Sequence, residues 1–176
     1  MSEAAQPAVI AIVGPTASGK SALALRVAQA MEAEIVGTDS MQAYRGMNIG
    51  TAKPNEGDQR LVRHHMIDVW PVDQAVSVVE FRDRARQAID DVRGRGTTAL
   101  VVGGSGLYVR AVLEQLDFPG TDTDIRARWE ARLREVGAPA LHDELRARDP
   151  DAAQAIERNN GRRIVRALEV IELTGE

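Results

Sequence analysis

The chain contains no cysteine. Disulfides, thiolate nucleophiles and cysteine-ligated metals are therefore excluded, and the composition agrees with a reducing compartment. Aromatic residues are scarce, with two Trp, two Tyr and two Phe in 176 residues. Any core must be built from Val, Ile, Leu and Ala. No charge of one sign dominates, because 22 Lys and Arg stand against 26 Asp and Glu, a net charge of −4. Global attraction to nucleic acid is not expected, although a local basic patch is compatible with that balance. Long hydrophobic runs are missing too. The longest, AVIAIV, falls far short of the roughly 20 residues a membrane helix needs. The opening MSEAAQP has no basic region ahead of an apolar run, so no signal peptide is expected. These absences leave a soluble, cytoplasmic protein without a membrane partner, and a monomer is expected.

What is present alternates in a regular way. Ala8 to Val13 forms a continuous apolar run ending at Gly14, which reads as a central parallel strand feeding a helix. Leu23, Val27 and Ala30 mark that helix's inner face, widened by Leu25 and Ala28. AEIVGTD reads as a second strand ending at Asp39, and HHMIDV as a third with Asp68 near its carboxyl end. The spacing of Phe81, Ala85, Ala88, Ile89 and Val92 predicts a helix over about Val78 to Val92, stopped by Gly94 and Gly96. Thr98 to Val102 then runs into Gly103-Gly104 and a helix through Tyr108 and Val112. The pattern predicts an α/β class fold: a P-loop-containing parallel sheet covered by helices.

Composition changes near Pro119-Gly120, which divides the chain into a core of residues 1–118 and a charged, wholly helical segment, 119–176. Asp122 or Asp124 is placed to cap a helix carrying Trp129 and Leu133 inward. Gly137-Ala138-Pro139 breaks it, and ALHDELRAR forms a shorter helix. The last helix starts after Asn160, buries Ile164, Ala167, Leu168 and Ile171, and stops at Thr174-Gly175.

Gly14, Pro15, Thr16, Ala17, Ser18, Gly19, Lys20 and Ser21 match the G-x-x-x-x-G-K-[ST] P-loop in full. The chemistry demands this pattern. Consecutive N–H groups must curl around phosphoryl oxygens at a helix N-terminus, Lys20 adds a point charge, and the Ser21 hydroxyl is placed for Mg2+. A nucleoside triphosphatase would also show an acidic strand end after its best hydrophobic strand. Here TALVV ends in Gly103-Gly104, and the acidic strand ends are Asp39 and Asp68. In an open parallel sheet both would lie at the carboxyl edge, where ligands bind. Asp39 reads equally as a group facing the phosphates, through Mg2+ or as a base, and as an N-cap for the turn SMQAY.

GPTASGKSALAL, DSMQAYRGMNIGTAKP, HHMIDV, FRDRA, LVVGGSGLYVRAVL and GRRIVRALEVIELTG together resemble the bacterial tRNA dimethylallyltransferase (tRNA isopentenyltransferase) family, in order and across nearly the whole chain. The resemblance implies a transferase of the dimethylallyl group from dimethylallyl diphosphate to N6 of the adenosine 3′ of the tRNA anticodon. It implies that the P-loop, a nucleotide- or ATP-binding motif elsewhere, holds the donor diphosphate with Mg2+. Asp39 becomes the general base, and Ser105 stands where the family has a threonine at the closing of the reaction channel. The acceptor contacts it implies are Asp39, Ser40, Met41 and Gln42, with Arg126 at another tRNA-contacting position. Gln42 suits an adenine edge by its geometry.

Arg162, Arg163 and Arg166 crowd the last helix opposite its apolar stripe. Such a cluster is usually a solvated face, and the resemblance raises it to a tRNA phosphate contact. RNNGRR departs from the family's Asp-containing turn before this helix. His64 and His65 read as hydrogen-bonding residues, since neighbours on a strand point to opposite faces, and Lys53 as positive charge near the substrate. An adenylate isopentenyltransferase acting on free AMP, ADP or ATP, and a small-molecule P-loop kinase, are the rival readings. The charged helical tail disfavours the first. Family members are much longer, so the chain reads as an N-terminal fragment whose helical tRNA-binding region is incomplete. On its own it is expected to keep the diphosphate site and to transfer little or no prenyl group.

Overall fold

The structure, a computed structural model, describes residues 7–116 and 118–175. The acidic opening segment, residues 1–6, lies outside them. The chain separates into two compact units, one to Leu116 and one after it.

The first unit is a four-stranded parallel sheet flanked by helices. Its elements run β1 (Val9–Val13), α1 (Lys20–Met31), β2 (Glu34–Gly37), α2 (Glu56–Leu61), β3 (His64–His65), α3 (Val78–Gly94), β4 (Ala99–Gly103) and α4 (Gly106–Leu113). Strand order is β1-β4-β2-β3, with Val9 beside Ala99 and Glu34 beside the same Ala99. On one face, Ile10, Ile12, Leu100, Val102 and Ile35 meet Ala24 and Ala28 of α1. On the other, Val36, Ala99 and Val101 meet Phe81, Ala85, Ile89 and Val92 of α3 and Val112 of α4. Each large buried aliphatic or aromatic side chain contributes about 1.5–3 kcal/mol relative to exposure. Three of the six aromatics are used together: Phe81 packs edge-on to Tyr108 at 4.7 Å and tilted against Trp70 at 5.8 Å.

Three sequence expectations need correction. The central strand is β4, not β1. Among the described residues β1 pairs with β4 alone, and Val9 and Val13 are exposed on the face away from α1. An apolar run records that a strand is apolar on both faces, not how many neighbours it has. In α1 the buried positions are Ala24 and Ala28, while Leu23 is 53% exposed. Small residues at that face let the helix lie close to the sheet. The third strand contributes only His64 and His65, because Met66 and Asp68 adopt positive φ and turn the chain away. α3 extends to Gly94 and starts with a complete capping box between Ser77 and Glu80.

The second unit contains α5 (Thr123–Arg148), α6 (Pro150–Ala155) and α7 (Gly161–Thr174). Asp122 caps α5 by accepting from the Asp124 and Ile125 amides, and Gly137 breaks the helical path with φ 79° and ψ 161°. Asn160 caps α7, and Gly175 ends it in the left-handed conformation. Leu141, Leu145, Ala153, Ile164, Val165 and Leu168 form its core. α6 was not foreseen, although Asp149-Pro150 is an N-cap followed by Pro at the first helical position.

Candidate functional site

The P-loop joins the carboxyl end of β1 to α1, whose N-cap is Gly19. Among the described residues no side chain caps that helix, so its first-turn amides and the positive end of its dipole face outward. Lys20 folds back and donates from Nζ to the Pro15 carbonyl at 3.1 Å. β4 ends directly beside this turn: the Gly14 amide donates to the Gly103 carbonyl at 3.3 Å.

The two glycines ending β4 are required by what lies against them. A Cβ on Gly103 would stand 1.8 Å from Oγ1 of Thr38, a fully buried hydroxyl that bonds the Val102 carbonyl. On Gly104 it would stand 3.0 Å from the Gly14 carbonyl and 3.2 Å from Lys20 Nζ. The glycine pair therefore brings β4 against both the end of β2 and the phosphate lysine.

A cleft of about 880 Å³ opens over these strand ends. Thr16 to Ser21, Asp39, Met41, Gln42, Gly103 and Gly104 all line it. Asp39 combines the two readings given to it. Its Oδ1 accepts from the Met41 amide at 2.9 Å, closing the turn, and the carboxylate still borders the cleft. Ser40 is half-buried beside it and does not line the cleft. Ser105 is exposed at the N-cap position of α4, where its side chain makes no capping bond, and it too stands outside the lining.

Gln42 is more constrained than its sequence context indicates. Its amide nitrogen donates to the Thr51 and Ala52 carbonyls at 3.0 and 3.2 Å. Its NH2 group thus secures the following loop, and the carbonyl oxygen is the end left to address a ligand. Asp68 does not line the cleft either. It binds Lys53 Nζ at 2.7 Å, and Lys53 also donates to the Tyr44 carbonyl at 2.7 Å. Lys53 itself lines the cleft, so its ammonium, with a side chain 4% exposed, is positive charge beside the site that is already paired to Asp68. The histidines are hydrogen-bonded as anticipated. His64 Nδ1 faces the Val62 carbonyl at 2.8 Å, and His65 Nε2 meets Glu34 at 2.6 Å. Burial lowers the His64 pKa, against the opposing hydrogen bond to Val62. Met47 and Ile49 also line the cleft, a role unassigned from sequence. The only sequence signal was two apolar residues inside a glycine-bounded polar loop.

Among the described residues no cluster of three acidic or histidine side chains is arranged to hold a metal by itself. A hydroxyl at Ser21 and one carboxylate at Asp39 fit instead the sparse protein ligation typical of Mg2+ that arrives with phosphate.

In the second unit, the arginines read as tRNA contacts divide. Arg126 and Arg166 converge on Glu169, whose side chain is completely buried. Arg166 also donates to the Pro119 and Gly120 carbonyls at 2.6 and 3.0 Å. Arg162 and Arg163 are exposed. The four side chains therefore comprise two internal struts and two surface cations.

Comparison with known proteins identifies what the chain is similar to. The family model described as IPP transferase matches residues 42–176. A tRNA dimethylallyltransferase of Salinispora arenicola is 60% identical over 167 residues, covering 95% of this chain and 49% of the relative. One from Frankia casuarinae is 59% identical over 166 residues, covering 94% and 57%. A crystal structure of the tRNA isopentenylpyrophosphate transferase of Bacillus halodurans superposes with a TM-score of 0.61 at 44% identity, over 97% of this chain and 57% of that one. A eukaryotic dimethylallyltransferase acting on tRNA gives a TM-score of 0.79 at 26% identity, over 97% and 42%. The chain spans about half the length of the curated relatives it matches.

Proposed function

Since the chain belongs to the IPP transferase family, we propose that it provides the donor site and base for transferring a dimethylallyl group from dimethylallyl diphosphate to N6 of the adenosine 3′ of a tRNA anticodon. The observation carrying this reading is the placement of Asp39 and the P-loop on one cleft. A nucleophile-activating carboxylate and a diphosphate cradle are what alkylation of an amine by an allylic diphosphate requires.

The chemistry assigns separate tasks to the two sides. The adenine amine is a poor nucleophile because its lone pair is delocalised into the ring. The allylic C–O bond breaks readily once the leaving diphosphate is neutralised. Amides from Thr16 to Ser21 and Lys20 stabilise that leaving charge. Ser21 would hold Mg2+, which supplies further neutralisation of the diphosphate when bound. On the acceptor side Asp39 takes the N6 proton as the C–N bond forms. Its turn to Met41 fixes the carboxylate before the acceptor arrives. The Gln42 carbonyl oxygen is available to accept from the adenine amine, and Ser40 and Met41 flank it. Bringing a stacked adenosine into this cleft requires flipping it out. Ser105, beside Gly104 but outside the cleft lining, would have to turn inward to offer its hydroxyl to the pyrophosphate or Asp39. Arg162 and Arg163 supply phosphate contacts to the tRNA, and the setting is cytoplasmic.

Incubation with labelled dimethylallyl diphosphate and either tRNA or AMP tests the reading, using this chain and one extended to the length of its relatives. Label is expected in tRNA with the extended chain. Label in AMP alone would identify an adenylate prenyltransferase. Phosphoryl transfer from ATP without any prenyl transfer would identify a kinase.

A further inference from the structure

Ile49 is 97% exposed, more than any other large hydrophobic residue described. The loop that carries it is nevertheless tightly bound. Thr51 Oγ1 donates to the Met47 carbonyl at 2.7 Å, spanning Ile49 itself. Gln42 binds the Thr51 and Ala52 carbonyls, and Lys53 ties the loop's end to Tyr44 and Asp68. At the other end, Arg45 donates to the Asp68 and Val69 carbonyls at 2.9 and 3.1 Å. A network of half-buried and exposed polar bonds thus presents one aliphatic side chain to water. A single exposed isoleucine is ordinary on a protein surface; what distinguishes Ile49 is that its fastened loop sets it in the lining of the phosphate cleft.

Ile49 and Met47 line the same cleft as the P-loop. We propose that these two side chains cover the five-carbon tail of the prenyl donor. The assignment rests on the prenyl-transfer reading above. A diphosphate seated on the amides of Gly19 to Ser21 must direct its hydrocarbon into the cleft, since the phosphoryl oxygens are turned towards the loop. The polar partners an adenine edge would need are supplied by Asp39 and Gln42. Neither Ile49 nor Met47 offers a comparable donor or acceptor, so hydrocarbon is the better match. The Met47 thioether can also adapt to a branched tail. The cleft is then divided by chemistry: amides and lysine for diphosphate, carboxylate and amide for the base, an aliphatic rim for the prenyl group.

Calorimetric titration with inorganic pyrophosphate and with dimethylallyl diphosphate tests this. The unaltered 176-residue chain is compared with Ile49→Ser and with Val72→Ser, a control at an exposed apolar residue that does not line the cleft. The hydrocarbon tail is expected to add about tenfold in affinity over pyrophosphate, a fraction of the gain from burying five carbons fully. Ile49→Ser should remove most of that increment and leave pyrophosphate binding unchanged, while Val72→Ser changes neither. Equal affinity of the unaltered chain for both ligands overturns the aliphatic rim but leaves the diphosphate site standing. So does an undiminished increment in Ile49→Ser, or a parallel loss for both ligands, which would make Ile49 merely structural. Failure of the unaltered chain to bind either ligand would overturn the donor-site reading together with the rim.

Discussion

The buried carboxylate of Glu169 receives both Nε and Nη2 of Arg126, at 3.1 and 2.8 Å. Arg166 reaches the same oxygen at 3.0 Å, and the Asp122 amide donates to the other at 3.1 Å. Two arginines that look like RNA contacts in the sequence are thus held by one internal anion. Each remains partly exposed, at 40% and 34%, so a secondary contact with phosphate is compatible with the pairing.

Arg126→Ala should therefore act first on stability. It leaves the buried carboxylate with only Arg166 as cationic partner, and because Arg126 is itself 40% exposed the loss should stay below the roughly 3–5 kcal/mol of a fully uncompensated buried charge. Arg162→Ala and Arg163→Ala, at exposed positions, should each change stability by no more than about 0.5 kcal/mol. In tRNA binding the order should reverse, with the exposed pair setting the salt dependence. Urea denaturation and binding isotherms at several salt concentrations measure both. An unchanged urea midpoint in Arg126→Ala would remove its role as a strut.

Acid should weaken the fold through the same carboxylate. Burial pushes the Glu169 pKa up, but hydrogen bonds from Arg126, Arg166 and the Asp122 amide outweigh it and hold the group below the ordinary glutamate value. Glu34 follows the same logic: burial raises it, while hydrogen bonds from His65 and Arg95 bring it below the ordinary glutamate value. A pKa depressed in the folded state gives stability that is complete above the unfolded carboxylate value and lost as pH falls through the folded one. Urea midpoints should hold between pH 7 and about 5 and decline below about 4.3, the unfolded value for Glu. Glu169→Gln should start lower and decline less. An identical acid slope in that variant would assign the effect elsewhere.

Gly103 and Gly104 predict different failures although they are adjacent. Gly103→Ala forces a Cβ into Thr38 Oγ1, so overpacking of about 1–3 kcal/mol is expected. Thr38→Ala in the same chain should recover part of it. Gly104→Ala meets the Gly14 carbonyl at 3.0 Å and Lys20 Nζ at 3.2 Å, closer than ordinary contact, so these phosphate-site groups must give way. Its expected effect is weaker pyrophosphate binding with little change in melting. Thermal melts and calorimetry separate the two, and matching phenotypes would contradict the geometry.

Local features of this fold were legible in the sequence, and non-local pairings were not. The P-loop, the capped starts of α5 and α7 and the break at Gly137 each depend on neighbours within a turn or two. β1 was misplaced at the sheet's centre because strand order depends on β4, some 90 residues later in the chain. Lys53 read as positive charge near the substrate, and its pairing with Asp68 was not foreseen because positive φ at Met66 and Asp68 brings that carboxylate back. Glu169 was silent for the same reason, sitting 43 residues from Arg126. In the cleft, Asp39 was found by its motif, but Ile49 required knowing which loop closes over which strand end.

Asp39 offers the sharpest separation of structure from chemistry. Its Oδ1 holds the turn by accepting from the Met41 amide, and an asparagine oxygen can accept the same bond. Asp39→Asn should therefore keep the turn, the melting temperature and pyrophosphate binding, while losing the carboxylate that takes the N6 proton. In a chain extended to the length of its relatives, prenyl transfer to tRNA should fall by about 10²–10⁴-fold, the usual contribution of a positioned base. Asp39→Ala removes the turn bond as well, so it should also lower stability, by about 1 kcal/mol. Equal transfer by the unaltered and Asp39→Asn chains would leave Asp39 a turn residue only. Loss of pyrophosphate binding in Asp39→Asn would show instead that the carboxylate belongs to the donor side, most simply through the metal that accompanies the diphosphate.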